Sequence, residues 1–204
     1  RLYEMSMGPL DQSKPWETRA VVGSQRFLQR LWRNVVDEHT GELRVVDAEP
    51  DDATLRAMHK AIDAVTRDYT DLAFNTAIAR LMEYNTALTR LDAVPRQAIE
   101  PLLLMVAPLA PHIAEELWSR IGHTESLAFE PFPVADPALL VEDTVTCVVQ
   151  VKGKVRARLE VPSDITEDAL RELALAQPRI QEETANGVRT VIVRAPKLVN
   201  VVPA

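Results

Sequence analysis

Residues 102–118 read LLLMVAPLAPHIAEELW, and the reading of this stretch decides the fold. Its first half is a continuous apolar run, long enough for a buried helix and far short of the roughly 20 apolar residues that cross a bilayer. Pro108 and Pro111 then interrupt it. A proline inside a helix removes a donor and clashes with the preceding turn, so one helix ends here and another begins, with Pro111 suited to a first helical position. Beyond it Ile113, Ala114, Leu117, Trp118 and Ile121 recur at three- and four-residue spacing, which turns one apolar stripe inward. Glu115 and Glu116 sit near the positive N-terminal end of the new helix. The expectation is two helices packed at a proline corner, in which no residue, His112 included, does chemistry.

Upstream, the same spacing argument predicts three more helices. The first runs from about Glu17 to Glu38, with Val21, Leu28, Leu31, Trp32 and Val35 on its apolar face and Gly23-Ser24 as a close-approach point. Arg19, Arg26, Arg30 and Arg33 fall within about 60° of arc on the side opposite that face, a rail of forked guanidinium groups at intervals suited to tracking phosphates. Asp37 falls in the same line. An ordinary solvated face explains such a row equally well. A hairpin-like excursion, HTGELRVVDAEP, leads to a helix capped by Asp51 or Asp52 and carrying Leu55, Met58, Ile62, Val65 and Tyr69, with His59 solvated on or beside the other face. A third helix packs Phe74, Ile78, Leu81, Met82, Leu88 and Leu91, and Val94-Pro95 opens the one that enters the proline corner. Through about residue 122 the expected architecture is an antiparallel helical bundle with short loops.

Downstream, Phe129-Glu-Pro-Phe-Pro and Asp136-Pro137 form an extended segment that marks a boundary. The expected parts are a connector at 1–16, a helical domain at 17–135, a linker at 136–142 and a second domain at 143–204. In the last, TVTCVVQV, a Lys152-Gly153 turn and the alternating KVRARLEV make a hairpin. Thr166 caps one helix over 166–176, Asn186-Gly187 turns the chain, and VRTVIV and KLVNVV add two strands, a ββαββ order. On the second strand Lys154, Arg156 and Arg158 face one side while Val155, Ala157 and Leu159 face the helix, with Lys152 and Lys197 as additions to a basic patch.

The 204 residues, 47% of them hydrophobic, suffice for a real core. One cysteine, Cys147, excludes a disulfide within the chain and points to a reducing cytosol, and neither CxxC nor HExxH occurs. Residues 1–141 hold all of the net charge of −7, so nonspecific nucleic-acid binding is disfavoured and an RNA footprint must be a local stripe. No Gly-rich phosphate loop, paired acid and base or metal cluster is present, so no catalytic or metal residue is expected. Arg1 already stands inside a pattern, as in a segment cut from something longer.

The order APLAPHIAEELW resembles a hallmark of the helical domain in class I aminoacyl-tRNA synthetases for leucine, isoleucine, valine and methionine. With RFLQRLW, FNTAIARLMEY, VQVKGKVRARLEVP and VIVRAPKLVNVVP, the resemblance covers nearly the whole chain and narrows to the C-terminal part of the bacterial leucine enzymes. The isoleucine enzymes usually end in a cysteine zinc site and the valine enzymes in a long helical hairpin, neither of which fits. The chain departs from the family at Arg194-Ala195, where an apolar residue and Pro-Gly are common. The resemblance implies an anticodon-binding-type bundle lying along tRNA(Leu), a C-terminal module that reaches the tRNA elbow, and a catalytic domain upstream of residues 1–16 that uses ATP and Mg2+. This segment itself would hold no cofactor. It also implies a cytoplasmic monomer whose partners are tRNA(Leu) and the rest of the synthetase chain, with neither DNA nor membrane. A free-standing RNA-binding module and a protein-interaction bundle stand as the rival readings.

Overall fold

A computed structural model describes residues 1–141, 144–185 and 187–203 and separates into two units, Arg1–Leu140 and Val141–Ala204. The first is helical. It contains α1 (Leu2–Ser6), a 3-10 turn (Thr18–Ala20), α2 (Val21–Val35), β1 (Val45–Val46), α3 (Asp52–Thr70), α4 (Phe74–Leu88), β2 (Val94–Pro95), α5 (Arg96–Val106) and α6 (Pro111–Arg120), then 3-10 turns at Leu127–Phe129 and Pro137–Leu139.

The proline corner forms as the sequence requires. Helix α5 stops at Val106, and Pro111 takes the first turn of α6, where its missing N–H has no partner to lose. Leu102, Leu103, Met105 and Val106 are fully buried, so the apolar run is core. At the far end of α6, Gly122 (φ +105°) lets His123 N–H reach back to Trp118 O (3.3 Å) and its own N–H reach Ser119 O (3.0 Å). This recurve stacks the His123 ring on Trp118 at 3.6 Å and brings Nε2 within 2.7 Å of Glu100 Oε1 on α5, so the two helices of the corner are tied at both ends.

Several local expectations change in the first unit. Helix α2 ends at Val35 rather than Glu38, because Val36 turns extended and bridges Leu43 in antiparallel fashion, which makes the first part of the excursion hairpin-like, while Val45–Val46 beyond it pair in parallel with Val94–Pro95. Asp37 therefore lies outside the helix, where its carboxylate accepts the N–H groups of His39 and Thr40, and these backbone bonds lower its pKa. Asp51 is the α3 cap, accepting Thr54 N–H at 2.7 Å. His59 is not merely solvated, since its Nδ1 accepts Asp136 N–H at 2.9 Å and pins the extended segment after residue 129 to α3. Arg44 donates to Arg33 O in the last turn of α2, where the helix dipole favours a cation, and to Leu91 O in the loop after α4.

The second unit is a small α+β layer. Its elements are β3 (Thr144–Val151), β4 (Lys154–Pro162), α7 (Glu167–Leu175), α8 (Pro178–Glu183), β5 (Val188–Arg194) and β6 (Leu198–Pro203), with sheet order β4-β3-β6-β5 and β3 parallel to β6. Two helices replace the single one expected, because Pro178 cannot continue α7 and instead starts α8. Cys147, Val149, Val151, Val199 and Val201 on one sheet face pack against Leu170, Ala174 and Ile180. Lys152 (φ +50°) and Gly153 (φ +79°) form the two-residue turn of the first hairpin, whose mirror-type geometry matches strand twist. Asn186 of the expected Asn186-Gly187 turn, and Glu142 and Asp143 at the expected boundary, lie outside the described residues.

No helix among the described residues is long and apolar enough to cross a membrane.

Candidate nucleic-acid interface

The arginine row of α2 is present, but its setting differs from the expectation. The buried residues of α2 are Ser24, Phe27, Leu31, Asn34 and Val35, so the buried arc is rolled about 60° toward the arginines and they flank the core rather than oppose it. A polar pair fixes that roll. Asn34 and Asn85 of α4 are both fully buried, and Asn34 Nδ2 donates to the Asn85 carbonyl (2.9 Å) and side chain (2.6 Å). Asn34 Oδ1 has no partner among the described residues, and losing the Nδ2 bonds as well would cost about 1–3 kcal/mol more, so the α2–α4 contact favours one rotation.

The flanking position divides the row. Arg30, nearest the core, is half-buried and donates to Thr86 Oγ1 on α4 at 2.9 Å. Arg33 pairs with Glu38 at 2.6 Å. Arg26 is exposed, and its side chain has no partner among the described residues. Arg19 is exposed on the 3-10 turn that precedes α2, with its side chain likewise unpartnered there. Two of the four guanidinium groups are thus free at the start of the row, and two are engaged at its end.

The basic row of the second unit is broken outright. Val149 faces Ala157 while the next residue, Gln150, faces Val155, so Arg156 is an extra residue in β4, a β-bulge. Residues directly opposite across an antiparallel pair share a face. Lys154 opposes the buried Val151 and belongs to the helix-covered side at the hairpin tip, whereas Arg158 opposes Val148 on the other side. Arg156 pairs with Glu183 of α8 at 2.7 Å. The expected single face of Lys154, Arg156 and Arg158 does not exist, and Val155, expected to pack on the helix, is 50% exposed, while Ala157 and Leu159 do pack there. Lys152 is exposed at the hairpin tip, and Lys197 is exposed in the β5–β6 turn, where its carbonyl accepts Val148 N–H.

What the register assembles instead is a row across the uncovered sheet face: Arg158, Val148, Leu198 and Arg194 on four adjacent strands. Three strand spacings set its two arginines about 14 Å apart. Arg194 was not a candidate from sequence, because only strand order brings it into line with Arg158. Among the described residues no group of His, Cys, Asp or Glu is arranged to hold a metal ion.

A family model described as the anticodon-binding domain of tRNA ligase matches residues 51–171. The leucine–tRNA ligases of Streptomyces griseus and Streptomyces avermitilis are each 62% identical to this chain over its whole length, and that of Bifidobacterium longum is 57% identical. The chain spans about a fifth of the length of these curated relatives, 22%, 21% and 21% respectively. A crystal structure of an Agrobacterium radiobacter LeuRS–tRNA–LeuAMS ternary complex superposes with a TM-score of 0.71 at 25% identity, over 99% of this chain and 28% of that one.

Proposed function

The chain belongs to the family of anticodon-binding domains of tRNA ligases, and from that premise we propose that it is the tRNA-positioning C-terminal part of a leucine–tRNA ligase, which joins leucine to tRNA(Leu) with ATP. The observation that carries this reading is 62% identity to leucine–tRNA ligases maintained along the entire chain, both units included. In this reading the first unit is the antiparallel bundle of the class I anticodon-binding type, entered through the connector at residues 1–16 from the catalytic domain. The second unit is the module that reaches the tRNA elbow. ATP and Mg2+ act at the catalytic domain, the protein works as a cytoplasmic monomer, and the chain described here holds RNA in place without reading bases. Arg19 and Arg26, and separately Arg158 with Lys152, Lys154 and Lys197, supply cations that are exposed and so within reach of phosphates.

The test is binding of the 204-residue chain to tRNA(Leu) and to a non-cognate tRNA over a salt series. Affinity should fall linearly on a logarithmic salt scale, by a slope of about one unit per phosphate contact. Absence of measurable binding to tRNA(Leu) at low salt would remove the reading.

A further inference from the structure

A groove of about 360 Å³ opens beside the first turns of α2, with Gly23 and Ser24 on its lining and Tyr3, Ser6, Lys14 and Glu17 around them. Most of the polar groups there are already engaged. Ser6 donates to Tyr3 O, the Tyr3 hydroxyl exchanges bonds with the Glu17 carbonyl and N–H, and the Glu17 carboxylate accepts Arg19 N–H. Ser24 is the exception: it is only 8% exposed, and its hydroxyl has no hydrogen-bond partner among the described residues. Its oxygen keeps access to the groove, so the hydroxyl is open to a ligand that offers an acceptor. Lys14 likewise has no ion pair among the described residues, and its stem crosses Gly8 so closely that a Cβ there would stand 2.7 Å from Lys14 Cε.

Gly23 gives the groove its shape. Nothing lies within 4 Å of the place a Cβ would occupy. On α2 this bare point is one turn from the exposed, unpartnered Arg26, and Arg19, also exposed and unpartnered among the described residues, stands four residues before it on the preceding 3-10 turn. Lys14 and the unmatched Ser24 hydroxyl line the groove beside this patch of naked backbone, with Glu17 as the single carboxylate on the lining, while Arg19 and Arg26 flank Gly23 along the chain. An aromatic platform stands next to it. Trp16 is 61% exposed, yet it is held, edge-on to Tyr3 at 4.9 Å and by a 3.0 Å bond from Nε1 to Thr18. A fixed, exposed ring beside a cationic notch is the combination that binds a nucleotide, with the phosphate in the notch and the base or ribose against the ring.

We infer that this groove seats one nucleotide of an RNA strand, its phosphate over Gly23 between Arg19 and Arg26, with Lys14 and Ser24 reaching its oxygens and Trp16 stacking on its base. The inference rests on the tRNA reading above and gives that RNA a defined contact at the junction of the connector and α2.

Gly23→Gln fills the notch without adding charge, and on an exposed helix position it replaces the poorest non-proline helix former, so the fold is retained. Its affinity for tRNA(Leu), measured with the 204-residue chain, should drop about tenfold with an unchanged or higher melting temperature. Trp16→Leu should lose on the order of fivefold to a hundredfold, the range of one base–aromatic stack, and tRNA(Leu) should quench tryptophan emission of the unaltered chain more than that of Trp16→Leu, which keeps Trp32 and Trp118. Wild-type affinity in well-folded Gly23→Gln and Trp16→Leu proteins would overturn the inference. If Arg26→Gln still weakened binding in that case, the groove would fall while the tRNA reading stood. If the unaltered chain bound no tRNA, both would fall.

Discussion

Two basic rows in this molecule read alike in sequence and came out differently in space. On α2, Arg26, Arg30 and Arg33 keep one azimuth on the shoulder of the core, with Arg19 on the 3-10 turn before them, so the row grades from free to engaged. On β4, Lys154, Arg156 and Arg158 are scattered by a single bulge at Arg156. A helix distributes side chains over a full circle, so an error in placing the buried arc moves a row by part of a turn. A strand offers only two faces, so one extra residue changes the answer completely.

The largest test of that contrast is deletion. Removing Arg30 from α2 rotates every later residue of the helix by about 100°, taking Leu31, Asn34 and Val35 out of a core where all three are fully buried. Loss of Leu31 and Val35 burial alone is about 3–6 kcal/mol, comparable to the whole stability of a domain. The helical unit should fail to fold cooperatively, as read by circular dichroism and thermal melting. Removing Arg156 should do the reverse. Val149 opposite Ala157 and Gln150 opposite Val155 become an ordinary consecutive register, so every remaining side chain keeps its face and the unit melts cooperatively. Unfolding by the Arg156 deletion and tolerance of the Arg30 deletion would invert the comparison.

A smaller effect separates the two ends of the α2 row. Replacing Arg19 and Arg26 together by Gln should weaken tRNA(Leu) binding and lower its salt slope by about two units, one per phosphate contact. The same change at Arg30 and Arg33 should lower the slope by less than one unit, because the first already donates to Thr86 and the second to Glu38. Equal slopes for the two double variants would mean that these intramolecular bonds give way to phosphate, and that the row acts as one rail.

These differences mark where sequence is legible. The proline corner was readable because a proline's missing donor acts locally, and the same holds for the Lys152-Gly153 turn. The roll of α2 was not, because Phe27 lay outside the assumed stripe and the buried Asn34–Asn85 pair exists only once α4 is docked. The bulge at Arg156 was hidden because KVRARLEV alternates without a break, and the extra residue shows only against the partner strand. The cross-strand alignment of Arg158 with Arg194 is a property of strand order, which a chain of residues does not state. Trp16 and Lys14 were passed over because an irregular, proline-punctuated connector carries no period from which to predict a face.

The finest test sits within β4, between two arginines two residues apart. Arg156 is half-buried and paired with Glu183, and the pair joins β4 to α8, which contributes Ile180 to the core. Arg158 is exposed on the opposite face and has no ion pair among the described residues. Arg156→Gln should therefore lower the stability of the second unit by up to about 1 kcal/mol, the range of a partly exposed ion pair, while leaving RNA affinity and its salt slope almost unchanged. Arg158→Gln should leave the melting temperature within error and reduce the slope by about one unit. Charge count alone makes the two variants equivalent, since each removes one cation from the same strand. A slope change of equal size in both would mean that Glu183 releases Arg156 to the RNA, and that the bulge constrains the free unit without setting which arginine makes the contact.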